Sequence, residues 1–451
     1  MRLQRSLKSC YRALSSANAV IINVCRTKSK STAIQNIRQQ YNLSSSIVPL
    51  RIKTLHYNHK HFSTRRCHER ADDDEPEYLE QVTNTAARMR LAVRKYVDDY
   101  SQAFDCDSCP NESNDEEFVA FSKPPQMKLV GILATKNIHP ISREDCSIPS
   151  EDDSHGNELY SEHIANICSE DGITYEPWRV PPTRESIERA IQHANERLDV
   201  HGILVFYPIE NLEGSDGTKE NISNRGPYKC QSTGVYYKSM DDYFRDLVAS
   251  EKDVEGYRRK GLRVRDENDD VVDAVIDEIG PIYPCTALAV FRILESFQLS
   301  IDTKRVSPQR LFEGRTITII NRSEVLGLPL ATMLSNQGAT VYSIDINSIL
   351  QFMPEGDVRI RREQATTTVE DCVRQSSVVV TGVPSQSFRV PTEWISENAT
   401  LINVANESNF DEEEVSELEG VTYVPHVGRV TVAALEFNLC LLHQNYHSDK
   451  N

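Results

Sequence analysis

The first 68 residues contain no aspartate or glutamate, although the 451-residue chain carries 67 acids against 50 Lys and Arg. Long apolar runs are missing too. Nothing approaches the roughly 20 residues that a bilayer-spanning helix needs, so no membrane span is expected. Positive charge is short over the whole chain, at a formal −17. That argues against a general nucleic-acid binder, because phosphate contacts need a basic face. The 11 cysteines lack disulfide-framework spacing, and a chain of this length has core enough without bridges. Cys106 and Cys109 form the one Cys-x-x-Cys, with no second pair at zinc-finger distance, so no metal site is expected. Their polar surroundings, 105–117, read as a surface insertion.

Positive charge is concentrated where acid is absent. Residues 1–68 hold 13 of the 50 Lys and Arg, and the other 37 face all 67 acids, a formal −30. An acid-free, Arg- and Ser-rich, amphipathic opening reads as an organelle transit peptide; the long apolar core of a secretory signal is missing. A disordered basic tail is the competing reading. Processing is expected near 61–67, ahead of the acidic run 72–75. The expected compartment is the mitochondrial matrix, with a plastid as the alternative, or the cytosol if the extension is no working signal.

Apolar residues at helical spacing (Leu79, Val82, Ala86, Met89, Val93, Tyr96, Val97) predict a helix over 78–104. A strand is predicted at 127–134, a helix at 160–171 closed by Gly172, a helix at 181–198 and a strand at 200–208. Such alternation indicates an α/β domain with a mostly parallel sheet. Segment 211–238, polar and Gly-bearing, reads as a long loop, and 258–275 is charged without a clear pattern. A second βα series follows: strands at 315–321, 339–345, 377–381 and 400–404, a helix over 329–337 closed by Gly338, and a last helix over 431–444.

The turn after the first strand of that series runs Asn321-Arg-Ser-Glu-Val-Leu-Gly-Leu-Pro329. A strand leading into a helix N-terminus offers backbone N–H groups and a positive dipole end to a pyrophosphate. Only Gly327 remains of the usual G-x-G-x-x-G, a weak signal by itself. Asp345 ends the next strand, 18 residues on. A carboxylate there accepts hydrogen bonds from both ribose hydroxyls of NAD and repels the 2′-phosphate of NADP. A solvated strand-end Asp is the ordinary alternative. Three further stretches hold isolated polar groups in apolar or Gly-bearing settings: Lys252-Asp-Val-Glu-Gly256, Tyr283-Pro-Cys-Thr286 and Tyr423-Val-Pro-His-Val-Gly-Arg-Val-Thr431.

In this order the set resembles the methylenetetrahydrofolate dehydrogenase/cyclohydrolase family over roughly 78–444. Lys252-Asp-Val-Glu-Gly resembles its K-D-V-D-G, and Pro284-Cys-Thr-Ala-Leu its P-C-T-P. The nucleotide turn resembles its G-R-S-x-x-V-G-x-P, and Val427-Gly-Arg-Val-Thr-Val its V-G-P-M-T-V. Asn-Arg-Ser in the turn, Thr-Val-Tyr-Ser-x-Asp before Ile346, and Thr-Gly-Val-Pro-Ser from Thr381 are most similar to the monofunctional NAD-dependent branch. The resemblance implies an α/β fold: an N-terminal catalytic (folate) domain plus a Rossmann-type NAD-binding domain, with a cleft between them. The chain then divides into a transit peptide (1–70), a folate-binding domain (71–300), an NAD-binding domain (301–430) and a C-terminal helix packing back on the catalytic domain (431–451). A homodimer, a tetrahydrofolate substrate and NAD are implied with it. Candidate catalytic residues are Cys285, Tyr160 and Glu255. Phe206, Tyr207, Asp253, Pro284, Val427 and Gly428 join Tyr160 and Glu255 beside the folate. Arg322, Ser323, Gly327, Asp345, Ile346, Thr381, Gly382 and Val383 are expected around NAD.

Departures from the family pattern bear on mechanism. Bifunctional members carry Y-x-x-x-K, whose lysine supports the cyclohydrolase step; here Ile164 stands at that position. Isoleucine can neither donate a proton nor hold a water. Phe206 replaces a glutamine, and His163 points about 100° away from position 164 on a helix. Cyclohydrolase activity is therefore expected to be weak or absent, with a bifunctional enzyme or an inactive nucleotide-binding homologue as the alternatives. Hydride transfer asks for less: the methenyl cation is delocalised over two nitrogens, so positioning suffices and no general base is required. Glu255 suits the pterin, since a carboxylate accepts two parallel N–H bonds. Tyr160 packs on the aminobenzoyl ring in this reading. Cys285 has no neighbour in sequence that lowers its pKa, so lining the cleft competes with a chemical role. Arg429 is open between a folate-tail contact and a surface charge. In so acidic a chain, helix N-termini and cations such as Arg322 must draw in anionic ligands.

Overall fold

The computed structural model describes residues 77–104, 126–135, 154–209, 228–230, 236–237, 239–257, 282–297, 310–355 and 359–448. The transit-peptide segment, its cleavage region, the Cys106/Cys109 pair and 258–275 lie outside them.

Helix α1 (Glu77–Phe104) buries Val82, Ala86, Met89, Val93, Tyr96 and Tyr100, one face at i, i+3/i+4 spacing. A three-stranded parallel sheet follows, ordered β2-β1-β3, with β1 (Lys128–Ala134) between β2 (Thr174–Val180) and β3 (Gly202–Val205). Helix α2 (Ser154–Glu170) starts six residues earlier than its pattern suggests and ends before Gly172, at φ +79. Strand β2 escapes the sequence reading because Pro177 interrupts it; an edge strand tolerates proline, having no partner on its outer side. Helix α3 (Arg184–Glu196) starts after Pro181 and Pro182, with the Thr183 hydroxyl accepting from Ser186 N.

The 211–238 region is not all loop: β4 (Tyr228–Lys229) pairs antiparallel with β5 (Tyr236–Tyr237). Helix α4 (Met240–Leu247), also unforeseen, is capped by Ser239, whose hydroxyl accepts from Asp242 N at 3.1 Å. Met240, Tyr243 and Phe244 join Val130, Ile132, Ile187, Ile191, Ile203 and Val205 in the first lobe's core.

Helix α5 (Cys285–Ser296) leads to a seven-stranded sheet ordered β12-β11-β10-β6-β7-β8-β9. Its parallel part comprises β6 (Thr316–Ile320), β7 (Thr340–Asp345), β10 (Val378–Thr381), β11 (Thr400–Asn403) and β12 (Thr422–Val424). Helix α6 (Gly327–Asn336) joins β6 to β7, and α7 (Val369–Arg374) precedes β10. The chain moves from β6 to β7 on one side, then to β10 on the other. Such a reversal opens a crevice at the strands' C-terminal ends, where open α/β sheets bind nucleotides. An antiparallel hairpin absent from the sequence reading, β8 (Ser348–Glu355) and β9 (Arg359–Gln364), extends the sheet beyond β7. Helix α8 (Glu412–Ser416) precedes β12. Helix α9 (Gly428–Leu442) begins three residues before its pattern, packs on α5, and runs into a π-helical turn, His443–His447. The described residues from Tyr78 onward belong to one compact unit.

Candidate active site

The Lys252–Gly256 motif is a turn laid along β3. Ile203 N donates to Lys252 O at 2.8 Å, and the Lys252 ammonium donates to the carbonyls of Ala194, Asn195 and Arg197, capping the C-terminal end of α3. Gly256, at φ +70, lies so close to the next motif that a Cβ would sit 2.7 Å from Tyr283 C and 2.9 Å from Pro284 N. Two motifs that sequence could only place in order are thus in contact. Asp253 is buried, its Oδ1 accepting Gly256 N at 3.0 Å, so this carboxylate closes the turn.

Glu255 points back to β3, where Val205 N donates to its Oε2 at 3.4 Å. Desolvation pushes its pKa up to about 8; Asp253 adds to the rise, while Arg245, the Val205 N–H and the Tyr257 hydroxyl oppose it. Tyr160, from α2, meets Phe206 edge to face at 6.1 Å between centroids. Burial raises the Tyr160 pKa, and charges on Cys285 and Glu255 contribute, which places all three in one neighbourhood. Ile164 is completely buried. His163 is half-buried, its pKa lowered by burial and by the charges of Arg429 and Arg90.

Cys285 opens α5. Its thiol donates to Val254 O at 3.2 Å, and burial pushes its pKa well up, with Glu255 and Asp253 adding to the effect. That environment disfavours a thiolate. Pro284 precedes it as the helix N-cap, buried. Sequence reasoning missed Asn438 of α9, whose amide donates at 2.9 Å to both Val254 O and Tyr283 O, binding the two motifs together. Its signal was a polar residue, like Glu436 two positions earlier, within the apolar run Val432–Leu442. The Tyr207 hydroxyl and Asn438 Oδ1 are buried without a hydrogen-bond partner among the described residues. Val427 and Gly428 stand at the start of α9, about 15 Å along the helix from Asn438 by its rise per residue. The next residue, Arg429, acts on His163 of α2, so the start of α9 lies toward the helix that carries Tyr160.

On the second sheet the β6–α6 turn doubles back on itself. A Cβ on Gly327 would lie 2.0 Å from Asn321 O, so only glycine fits. Asn321 adopts φ +102, a region that asparagine enters more readily than most residues, and its side-chain amide donates to Gly382 O. That bond links the turn after β6 to the turn after β10 across the crevice. Gly382 N donates to Ile320 O at 3.1 Å. Ser323 O accepts Leu328 N at 3.0 Å, shaping the α6 entry. Asp345 is exposed at the C-terminal end of β7, its Oδ1 accepting Ile346 N at 2.8 Å, and Ile346 is 94% exposed beside it.

Two candidates have their side chains engaged within the chain. The Arg322 guanidinium donates to the hydroxyls and carbonyls of Ser343 and Ser348, fastening the turn to β7 and β8 on either side of Asp345. The Thr381 hydroxyl is buried against Ile402 O and Asn403 Oδ1, and its carbonyl accepts Val404 N at 2.8 Å. Val383 is clamped by Asn409, which accepts from its N–H and donates to its carbonyl, each at 2.9 Å. Asn409 was not legible in sequence. The glycine cradle at a helix N-terminus and the exposed carboxylate one strand away fit a dinucleotide with free ribose hydroxyls. Among the described residues no group of three or more His, Cys, Asp or Glu is arranged to hold a metal, and no helix is long and apolar enough to cross a membrane.

Fold and crevice together define a two-lobed α/β protein with a Rossmann-type nucleotide-binding lobe. The family model "Tetrahydrofolate dehydrogenase/cyclohydrolase, NAD(P)-binding domain" matches residues 284–447. The methylenetetrahydrofolate dehydrogenase [NAD(+)] of Schizosaccharomyces pombe is 33% identical over 70% of this chain and 84% of its own length. The enzyme of that name from Dictyostelium discoideum is 34% identical over 64% and 83%. The solved NAD-dependent 5,10-methylenetetrahydrofolate dehydrogenase from Saccharomyces cerevisiae superposes with a TM-score of 0.58 at 27% identity, over 82% of this chain and 98% of that one. The chain belongs to the tetrahydrofolate dehydrogenase/cyclohydrolase family.

Proposed function

We propose that this protein oxidises 5,10-methylenetetrahydrofolate to 5,10-methenyltetrahydrofolate with NAD, without appreciable cyclohydrolase activity. The observation that carries the reading is the gathering of Phe206, Glu255 and Cys285 around Tyr160, with a fully buried Ile164 one turn further along α2. Every polar device in that cluster can bind or orient a folate, and position 164 offers nothing to activate water. Two relatives of the stated NAD-dependent name support the choice of reaction.

Glu255, once ionised, accepts the pterin ring N–H and exocyclic amine. Tyr160 and Phe206 supply apolar faces for the aminobenzoyl ring and exclude water. Bound NAD would supply the hydride acceptor, at nicotinamide C4. The C–H bonding pair leaves the methylene carbon and its positive charge spreads over N5 and N10, so no protein base takes part. Asp345 accepts the adenosine ribose hydroxyls and selects against a 2′-phosphate. Cys285 lines the cleft as a neutral thiol.

The test is an absorbance assay of a chain starting near Asp72 with methylenetetrahydrofolate and NAD. Accumulating methenyl product is the expected result. Enzyme-dependent decay to formyltetrahydrofolate would overturn the monofunctional reading, and absence of NAD-linked turnover would favour an inactive homologue. The acid-free opening supports import into the mitochondrial matrix and removal near 61–67. Imaging a fusion of residues 1–70 tests that. A homodimer, implied by the family, is tested by light scattering.

A further inference from the structure

The helix α4 has no counterpart among the motifs, yet its last turn sends Arg245 into the folate side. The guanidinium lies 4.5 Å from the Tyr207 ring centroid and 5.0 Å from that of Tyr257, between two rings themselves 6.4 Å apart. One terminal nitrogen, Nη1, donates to Asp242 Oδ1 at 2.9 Å, and Nε is buried without a partner. A surface ion pair of the i, i+3 kind needs no such enclosure. Two aromatic faces hold this cation in one place.

Tyr207 follows Phe206 directly at the end of β3, and Tyr257 follows the Lys252–Gly256 motif. The cation is therefore gripped by the two segments that also present Glu255. We propose that Arg245 is a positioning residue for the folate, a fixed cation between Tyr207 and Tyr257 that keeps Glu255 available as a hydrogen-bond acceptor for the pterin. The proposal rests on Glu255 being that acceptor.

The groups around Glu255 come from five elements. They are Asp253 and Tyr257 on and just after its own turn, the Val205 N–H of β3 with Tyr207 just past that strand, Tyr160 of α2, Cys285 of α5, and Arg245 of α4. Asp241 of α4, near Tyr207, accepts from Ile209 N. Arg245 is the one full positive charge in this set, and its field lowers the Glu255 pKa against desolvation and Asp253. A folate that needs the carboxylate binds more tightly as pH rises through the Glu255 pKa. Loss of the cation moves that rise to higher pH.

The experiment measures KM for methylenetetrahydrofolate and for NAD, from pH 6.5 to 9.5, in the parent, Arg245→Met and Arg245→Lys. In the parent the folate KM falls with pH and levels off above about 8. In Arg245→Met the midpoint moves up by about one pH unit, so the folate KM is roughly tenfold higher at pH 7 and less than twofold higher at pH 9.5. Arg245→Lys keeps the charge, loses the planar stack and holds the parent midpoint. The NAD KM stays within about twofold throughout. A folate KM raised by one factor at every pH, or an unmoved midpoint in Arg245→Met, overturns the Arg245 assignment alone. A midpoint in Arg245→Lys about one pH unit above the parent also overturns it, and that readout stands even if the Met variant folds poorly. A parent profile flat in pH overturns the Glu255 reading, and this one with it.

Discussion

The proposed folate side and the proposed nucleotide side are built on different physics. The folate side is built from titratable groups in desolvated surroundings: Glu255 sits near pKa 8, and burial raises Tyr160, Tyr207 and Cys285. The nucleotide side is built from backbone shape, with a glycine that admits no Cβ, an asparagine at positive φ, and one carboxylate left in solvent. The first should respond to pH and to conservative changes of charge. The second should respond to volume.

The largest effect that would sharpen this contrast is at Gly327. Its Cβ would strike a carbonyl oxygen at 2.0 Å, and backbone cannot yield as a flexible side chain does. Gly327→Ala should destabilise the lobe by about 3 kcal/mol and raise the NAD KM far more than the folate KM. A normal melting temperature with both KM values unchanged would break the shape argument. Next is Glu255→Gln, which replaces an acceptor by a group that donates toward the pterin amine. It should lower kcat/KM about 100-fold, some 3 kcal/mol of lost charge-assisted bonding, and abolish the pH dependence of the folate KM. A hundredfold loss that keeps the parent pH profile would mean that another group titrates.

Asp345→Ser should change little except cofactor choice, moving the NADP-to-NAD ratio of kcat/KM up by about tenfold as like-charge repulsion is removed. An unaltered ratio would place cofactor selection elsewhere. The smallest effect is expected at Cys285. Cys285→Ala should keep kcat within about threefold, because no thiolate is used, and cost about 1 kcal/mol from the lost contact with Val254 O. A thousandfold loss would return the thiol to the chemistry.

A stability experiment separates buried acid from the rest. Glu436 of α9 is fully buried beside Asp171, and burial raises its pKa to about 9. Its folded pKa lies above the unfolded value, so its stabilising contribution is complete below about 4.5 and is lost as pH rises toward 9. The melting temperature of the parent should therefore decline across that window more steeply than that of Glu436→Gln. Equal slopes would show that Glu436 is charged in the fold.

Legibility in sequence followed periodicity and faded where elements were short or their partners distant. Helix α1 repeats apolar residues along 28 positions; Val82, Ala86, Met89, Val93 and Tyr96 of the predicted face are buried, Leu79 and Val97 only partly so, and Ala92 and Tyr100 join them. Strand β2 was hidden by Pro177, and α4 by its eight residues in a polar stretch. The β8–β9 hairpin has no apolar alternation strong enough to announce it. Among site residues, Glu255, Gly327 and Asp345 stood out by motif, but Asn438 did not. Its acceptors Val254 and Tyr283 lie 184 and 155 residues away in sequence, a distance at which no local pattern survives.

The sequence by itself determined the inventory of chemical groups. It set a hydrocarbon at position 164 where a proton donor would be needed, a carboxylate at 255, another at the end of β7, and all of the acid beyond residue 68. Tertiary structure decided which of those groups are charged and which are free to act. It fastened Arg322 to β7 and β8, gave Lys252 to the end of α3, and set Arg245 beside two rings. The reason is that residue type specifies donors and acceptors, whereas protonation and availability depend on solvent exclusion and on neighbours that only the folded chain brings near.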